Sequence, residues 1–159
     1  MKILLPIDTS ICSGAAARTI VAQFRPEQTE VRVMHAVEWP RELPSYLAFA
    51  EGPTAARDVL DAHGDQLERG QVLVDGVAQE LRAAGFTAST EVREGSPTEM
   101  ILAAADEWKP DVIVIGSHSR TGVDRFFLGS VAEHVMRSAD CPVEVVPAGA
   151  RSTLRAVMV

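Results

Sequence analysis

Between Ile115 and Glu133 the chain reads IGSHSRTGVDRFFLGSVAE, the stretch best suited to meeting an anion. Gly116 closes an apolar run, so no Cβ screens its backbone. Gly129-Ser130 opens a helical pattern, and the first turn of a helix presents unpaired N–H groups and partial positive charge. A phosphate fits such a place. The Ser130 hydroxyl and the Val131 N–H would add to it, and the loop from Ser117 to Thr121 can wrap the other side. His118 either bonds a phosphate or stands solvated, while Arg120 and Arg125 bring local positive charge. The same residues admit a reading without a ligand: Ser130-Val131-Ala132-Glu133 is a capping box, able to satisfy the helix end by itself. Asp8 is equally two-sided. It follows the first apolar run, where a carboxylate either caps the next helix, with Ser10 sharing the task, or faces a bound group.

Efficient catalysis is not indicated. Nucleophilic hydrolysis needs a nucleophile, a base and an orienting group together, and nothing fixes Ser117, His118 and Asp8 in that relation. There is no GxSxG elbow and no GxxxxGK[ST] loop. The phosphate loop also lacks a lysine to neutralise charge developing on a transferred phosphoryl group. The histidines show no metal-ligand spacing; His35 reads as packed near a strand end, His63 and His134 as helix-surface residues. Cys12 and Cys141 read as reduced, partly buried thiols.

The elements that must position these residues follow from periodicity. KILLPI (2–7), EVRVMHAV (30–37), FTASTEVRE (86–94), DVIVIG (111–116) and VEVV (143–146) predict five strands; the most apolar runs suit strands buried on both faces. Ala15, Ala16, Ala17, Ile20, Val21 and Phe24 predict a helix from the Asp8-Thr9-Ser10 segment to about Arg25, closed by Pro26. Residues 55–84 predict another, with Leu60, Leu67, Val74, Val77 and Leu81 on one face. Gly64, Gly70 and Gly76 weaken it by about 1 kcal/mol each, with a bend or break near Gly70, and Gly85 suits its C-cap. Gly95-Ser96-Pro97-Thr98-Glu99 is the clearest helix start, with Ser96 as cap, Pro97 in the first turn and Glu99 closing a capping box. That helix presents Met100, Ile101, Ala104, Ala105 and Trp108 and stops at Lys109-Pro110. A last helix covers Ser130–Arg137. Glu38–Thr54, with its prolines, reads as a long loop, either a functional lid or a plain connection. The tail 148–159 is a loose end or an extra edge strand.

Strands alternating with helices predict an α/β fold, a parallel sheet with helices on both faces. Ligands of such sheets sit beyond the carboxyl ends of the strands, where strand order reverses; Asp8, Ala36 and Gly116 all lie at such ends. The chain has 159 residues, 47% hydrophobic and 23% charged, with a net charge of −7. That suits one domain and argues against a nucleic-acid partner. No apolar run has the length of a membrane span, and the N-terminus does not resemble a signal peptide. The expected location is the cytoplasm.

KILLPIDTS, VRVMHAVE, EGSPTEMILAAADEWKPDVIVIGSHSRTG, FFLGSVAEHVM and CPVEVVP occur in an order that resembles the universal stress protein family, over residues 1–147. The resemblance implies a single domain with a five-stranded parallel sheet (adenine-nucleotide α-hydrolase-like, Rossmann-like), and a homodimer joined through Val143–Val146. It also implies ATP as ligand, in a dimeric stress-response module. The family's ATP motif is Gly, two residues, Gly, nine residues, Gly, then Ser or Thr. Gly116, Ser119, Gly129 and Ser130 stand at these positions, with serine for the second glycine. A Cβ there costs about 1–2 kcal/mol if φ must be positive, although the hydroxyl can donate to a phosphate. Carried over, Asp8 would sit beside the ribose and phosphates, the Ala36 backbone would meet adenine and Gly116 would lie under the ribose, with Pro6 and Ile7 also among the nucleotide-binding residues. His118, Ser119, Arg120, Gly129, Ser130 and Val131 would face the phosphates. Asp8 beside a triphosphate implies Mg²⁺ between them if ATP is bound. Two alternatives stay open: a nucleotide-free dimeric scaffold, and a slow ATPase or self-phosphorylating enzyme. No particular protein partner is indicated.

Overall fold

The computed structural model describes residues 1–38, 53–117 and 128–147. Its elements are β1 (Lys2–Pro6), α1 (Ile11–Gln23), a 3-10 turn (Pro26–Gln28), β2 (Glu30–Val37), α2 (Pro53–Ala83), β3 (Thr87–Glu94), α3 (Pro97–Trp108), β4 (Val112–Gly116), α4 (Ser130–Ser138) and β5 (Val143–Val146). The strands form one parallel sheet in the order β3-β2-β1-β4-β5. The chain thus starts in the middle, builds outward through β2 and β3, and returns to build the other side. The reversal falls between β1 and β4, which is where an open α/β sheet leaves a crevice.

Burial explains the apolar runs. Ile3, Leu4 and Leu5 of β1 are all 0% exposed, so consecutive side chains on opposite faces are covered. Ile3, Leu5, Val31 and Val33 pack with Ala16 and Ile20 of α1 and with Val74, Ala78 and Leu81 of α2. On the other face Leu4, Met34, Ile113 and Ile115 pack with Ile101 and Ala104 of α3 and with Ala132 and Val135 of α4. Truncating any one of the large side chains to alanine costs about 2–5 kcal/mol.

The helix ends have local causes. At the end of α1, Phe24 turns extended, and Pro26 opens the 3-10 turn. After α2, Gly85 takes φ +92; its N–H donates to the Arg82 carbonyl and the Phe86 N–H to that of Leu81, a Schellman closure. Lys109, with φ 50, ends α3.

Several expectations are corrected. The second long helix begins at Pro53 and runs unbroken through Gly70. Gly70 is buried because a Cβ there would stand 3.0 Å from His35 Cδ2 and 3.4 Å from Val37 and Val92 methyls. The helix therefore touches the sheet closely at this point. Leu60 is 55% exposed: one turn on, His63 already pairs with Glu94, the last residue of β3, so Leu60 lies beyond the sheet edge. Val21 is also exposed, on the outer side of α1. Ser96 stands at the N-cap of α3, but its side chain makes no capping hydrogen bond. Most of the Glu38–Thr54 loop and the tail 148–159 lie outside the described residues.

Candidate functional site

The crevice is built from the ends of β2, β1 and β4, side by side in that order. At its centre the chain leaves β1 through Pro6 and Ile7, both buried, and turns at Asp8 into α1. Asp8 Oδ1 accepts the Ser10 N–H at 2.9 Å and the Ser13 hydroxyl at 2.7 Å, and Ser13 Oγ accepts the Asp8 N–H at 2.8 Å. This closed ring holds the first turn of α1. Ser10, expected to share the capping, occupies the N-cap with extended dihedrals but makes no side-chain cap bond. Its buried Oγ has no hydrogen-bond partner among the described residues. Asp8 Oδ2, by contrast, receives no hydrogen bond from a described residue, and Asp8 is partly exposed.

On one side lies Ala36, beyond the end of β1. The last rung between the strands is the Ile7 N–H donating to the Met34 carbonyl at 2.8 Å. Backbone groups along a strand alternate in direction, so the Ala36 N–H and C=O also turn toward β1. The next rung would join Ala36 N–H to the Ile7 carbonyl, and it is not made; His35 Nδ1 holds that carbonyl at 2.8 Å. His35 is packed, as expected from its place near a strand end.

On the other side β4 ends at Gly116 and Ser117. The Ser117 N–H donates to Val146 O at 2.8 Å, and the Ser117 carbonyl accepts the Gly129 N–H at 2.6 Å. The start of α4 is thereby pinned to the tip of the sheet. Gly129, not Ser130, is the N-cap of α4. Ser130 sits one residue too late to act as the capping oxygen, and the Glu133 carboxylate pairs with Arg137 at 2.7 Å. The capping box is not formed. The Glu133 N–H reaches Gly129 O, which leaves the N–H groups of Ser130 and Val131 without a partner among the described residues. His118, Ser119 and Arg120 lie outside the described residues.

Gly116 has a reason the sequence does not disclose. A Cβ there would stand 2.7 Å from Cys12 Cβ and 3.0 Å from its carbonyl carbon. The glycine lets α1 press against β4, so close helix packing accounts for it without a ligand. Cys12 is buried and Cys141 half-buried, and both thiols are free. Burial pushes the Cys141 thiol up. Among the described residues no helix is long and apolar enough to cross a membrane, and no group of acidic, histidine and cysteine side chains could hold a metal alone.

A parallel five-stranded sheet, helices on both faces and an open crevice at the reversal of strand order define a Rossmann-like α/β protein. The chain belongs to the universal stress protein family, whose sequence profile matches residues 1–147. Universal stress protein MJ0531 of Methanocaldococcus jannaschii is 34% identical over 145 residues, spanning 91% of this chain and 81% of the relative. The solved structure of MJ0577, from the same organism, is 28% identical with a TM-score of 0.74, covering 91% of this chain and 94% of that one. Two more distant structures share the fold. An Arabidopsis thaliana member with AMP bound is 17% identical with a TM-score of 0.62, covering 92% and 90%. A universal stress protein in complex with cAMP is 22% identical with a TM-score of 0.57, covering 94% and 98%.

Proposed function

We propose that this chain is a homodimeric, cytoplasmic module that binds ATP, with Mg²⁺, in the crevice between β2 and α4. The observation that carries the reading is a pair of backbone features flanking β1 that have no partner among the described residues. At one end the Ala36 N–H and C=O form a donor–acceptor pair that matches the edge of adenine. At the other the first-turn N–H groups of α4 offer an anion site. Two strand spacings, about 10 Å, separate them, a span suited to a nucleoside with its phosphates. Pro6, Ile7 and Asp8 lie between, at the level of the ribose. His118, Ser119 and Arg120 are the further phosphate ligands that the family resemblance implies. AMP and cAMP in two relatives of the same fold support an adenine nucleotide.

The residues present also fit magnesium. One oxygen of Asp8 is committed to α1 and the other is open, so Asp8 would hold the ion through water, which suits the cation's reluctance to shed its shell. The ion would neutralise triphosphate charge that Asp8 otherwise repels.

The dimer is proposed through β5. The two sheet edges differ: β3 carries Glu91, Arg93 and Glu94, with Arg93 tied to Glu91 and to Glu107 at 2.6 Å each. Charges of this kind blunt an edge. β5 reads Val-Glu-Val-Val and has no described partner on its outer side. Residues 1–147 form the domain, and the tail 148–159 is the competitor for that edge. Sedimentation of the chain with and without the tail distinguishes these arrangements.

Calorimetric titration with ATP and Mg²⁺ tests the nucleotide reading. Saturable heat supports it; no heat up to millimolar ATP overturns it in favour of a scaffold. Phosphate release that falls when Asp8 or Ser130 becomes alanine would establish slow hydrolysis in addition.

A further inference from the structure

We propose that His35 is the positioning residue that keeps the Ala36 backbone available to the nucleotide base, an assignment that rests on the reading of the crevice just given. A parallel ladder continues by default. Once the Ile7 N–H has bonded Met34 O, the Ile7 carbonyl is the natural acceptor for the Ala36 N–H, and that rung would remove the donor from the crevice. That rung is not made. His35 Nδ1 lies 2.8 Å from the Ile7 carbonyl oxygen. A carbonyl only accepts, so Nδ1 carries the proton.

The ring stands on the α2 face of the sheet, because its Cδ2 is 3.0 Å from where a Gly70 Cβ would be. The bond therefore draws the carbonyl toward that face, out of the plane in which Ala36 would meet it. Gly70 is part of the device: the absence of its side chain admits the imidazole between α2 and the sheet. His35 itself touches no nucleotide in this scheme. It acts through the Ile7 carbonyl, and the base meets only the Ala36 backbone.

The test compares the intact chain with His35→Phe, which keeps a ring and removes the donor, and with His35→Asn, whose amide nitrogen can reach the same carbonyl. Two quantities are read: hydrogen exchange of the Ala36 amide without ligand, and affinity for ATP beside that for inorganic tripolyphosphate, which has no base. In the intact chain the Ala36 amide should exchange freely and become protected on adding ATP. In His35→Phe it should be protected without ligand. ATP should then weaken about two- to tenfold, the worth of one hydrogen bond, while tripolyphosphate is unchanged; His35→Asn should restore both.

Unchanged Ala36 exchange and unchanged ATP affinity in His35→Phe would overturn the assignment. So would equal weakening of ATP and tripolyphosphate, which marks general damage. If the intact chain binds neither compound, the nucleotide reading fails, and Ala36 exchange still decides what His35 does.

Discussion

Two helix N-termini face the same crevice and are treated in opposite ways. At α1 the chain supplies its own anion: Asp8 Oδ1 accepts the Ser10 N–H and the Ser13 hydroxyl, and the Asp8 N–H donates to Ser13 Oγ. At α4 the N-cap is Gly129, which has no side chain, and Glu133 turns away to Arg137. Both ends carry the same partial positive charge. At both, the N-cap N–H is bonded and no side chain caps the turn that follows; the difference lies in the carboxylate that stands at α1 alone. A carboxylate at α1 repels a phosphate there; on the proposed reading α4, whose N-cap is a glycine, receives it. On that reading the placement of charge, rather than the helix dipoles as such, sets where the ligand sits.

The most forceful way to break this contrast is to make α4 resemble α1. Gly129 has φ −62 and ψ 148, dihedrals open to any residue, so Gly129→Asp should fold. Aspartate caps better than glycine by a few tenths of a kcal/mol, so thermal stability should rise slightly. ATP affinity, read by calorimetry, should fall at least about 100-fold, since the carboxylate occupies the anion site and repels phosphate. Unchanged affinity would remove α4 from the site.

The converse change opens α1. Asp8→Ala strands the Ser10 N–H and the buried Ser13 hydroxyl, at a cost of about 1–3 kcal/mol in denaturant unfolding. Asp8→Asn keeps an acceptor and should lose less stability, while still removing the charge that meets magnesium. Equal stability losses in the two variants would mean the ring around Ser13 contributes little.

Ser119→Gly sharpens the contrast from the sequence between β4 and α4. If its Cβ obstructs the phosphates, ATP should tighten about tenfold; unaltered or weaker binding would make the hydroxyl a ligand. The smallest effect is expected at Ser10. An N-cap serine ordinarily contributes about 1 kcal/mol, yet Ser10 Oγ is buried without a partner among the described residues. Ser10→Ala should therefore change stability by less than about 0.5 kcal/mol, and a loss near 1 kcal/mol would contradict the capping scheme at α1.

What was legible in the sequence follows the same physics. The strands were, because burial on two faces demands unbroken apolar runs such as Ile3-Leu4-Leu5 and Val112-Ile113-Val114-Ile115. Helix boundaries at Pro97 and Gly85 were, because proline and positive φ act locally. The caps were not. Ser10, Ser96 and Ser130 each match a capping pattern by type and spacing, and none makes the bond. Whether a hydroxyl caps depends on a shift of one residue in the helix start and on competitors such as Asp8. Gly116 and Gly70 were visible as glycines but not for their reasons, since Cys12 and His35 approach them from distant parts of the chain. Ala36 was legible as a strand end, but its adenine role came only through family resemblance, because a missing ladder rung leaves no mark in residue types.

The most direct measurement is a titration of isotopically labelled chain with ATP and Mg²⁺, following individual backbone amides by NMR. The Ser130, Val131 and Ala36 amides should shift together with one dissociation constant, while the Lys2 amide, at the opposite end of β1, stays in place. Shifts confined to the start of α1, or none at α4 up to millimolar ATP, would contradict the account.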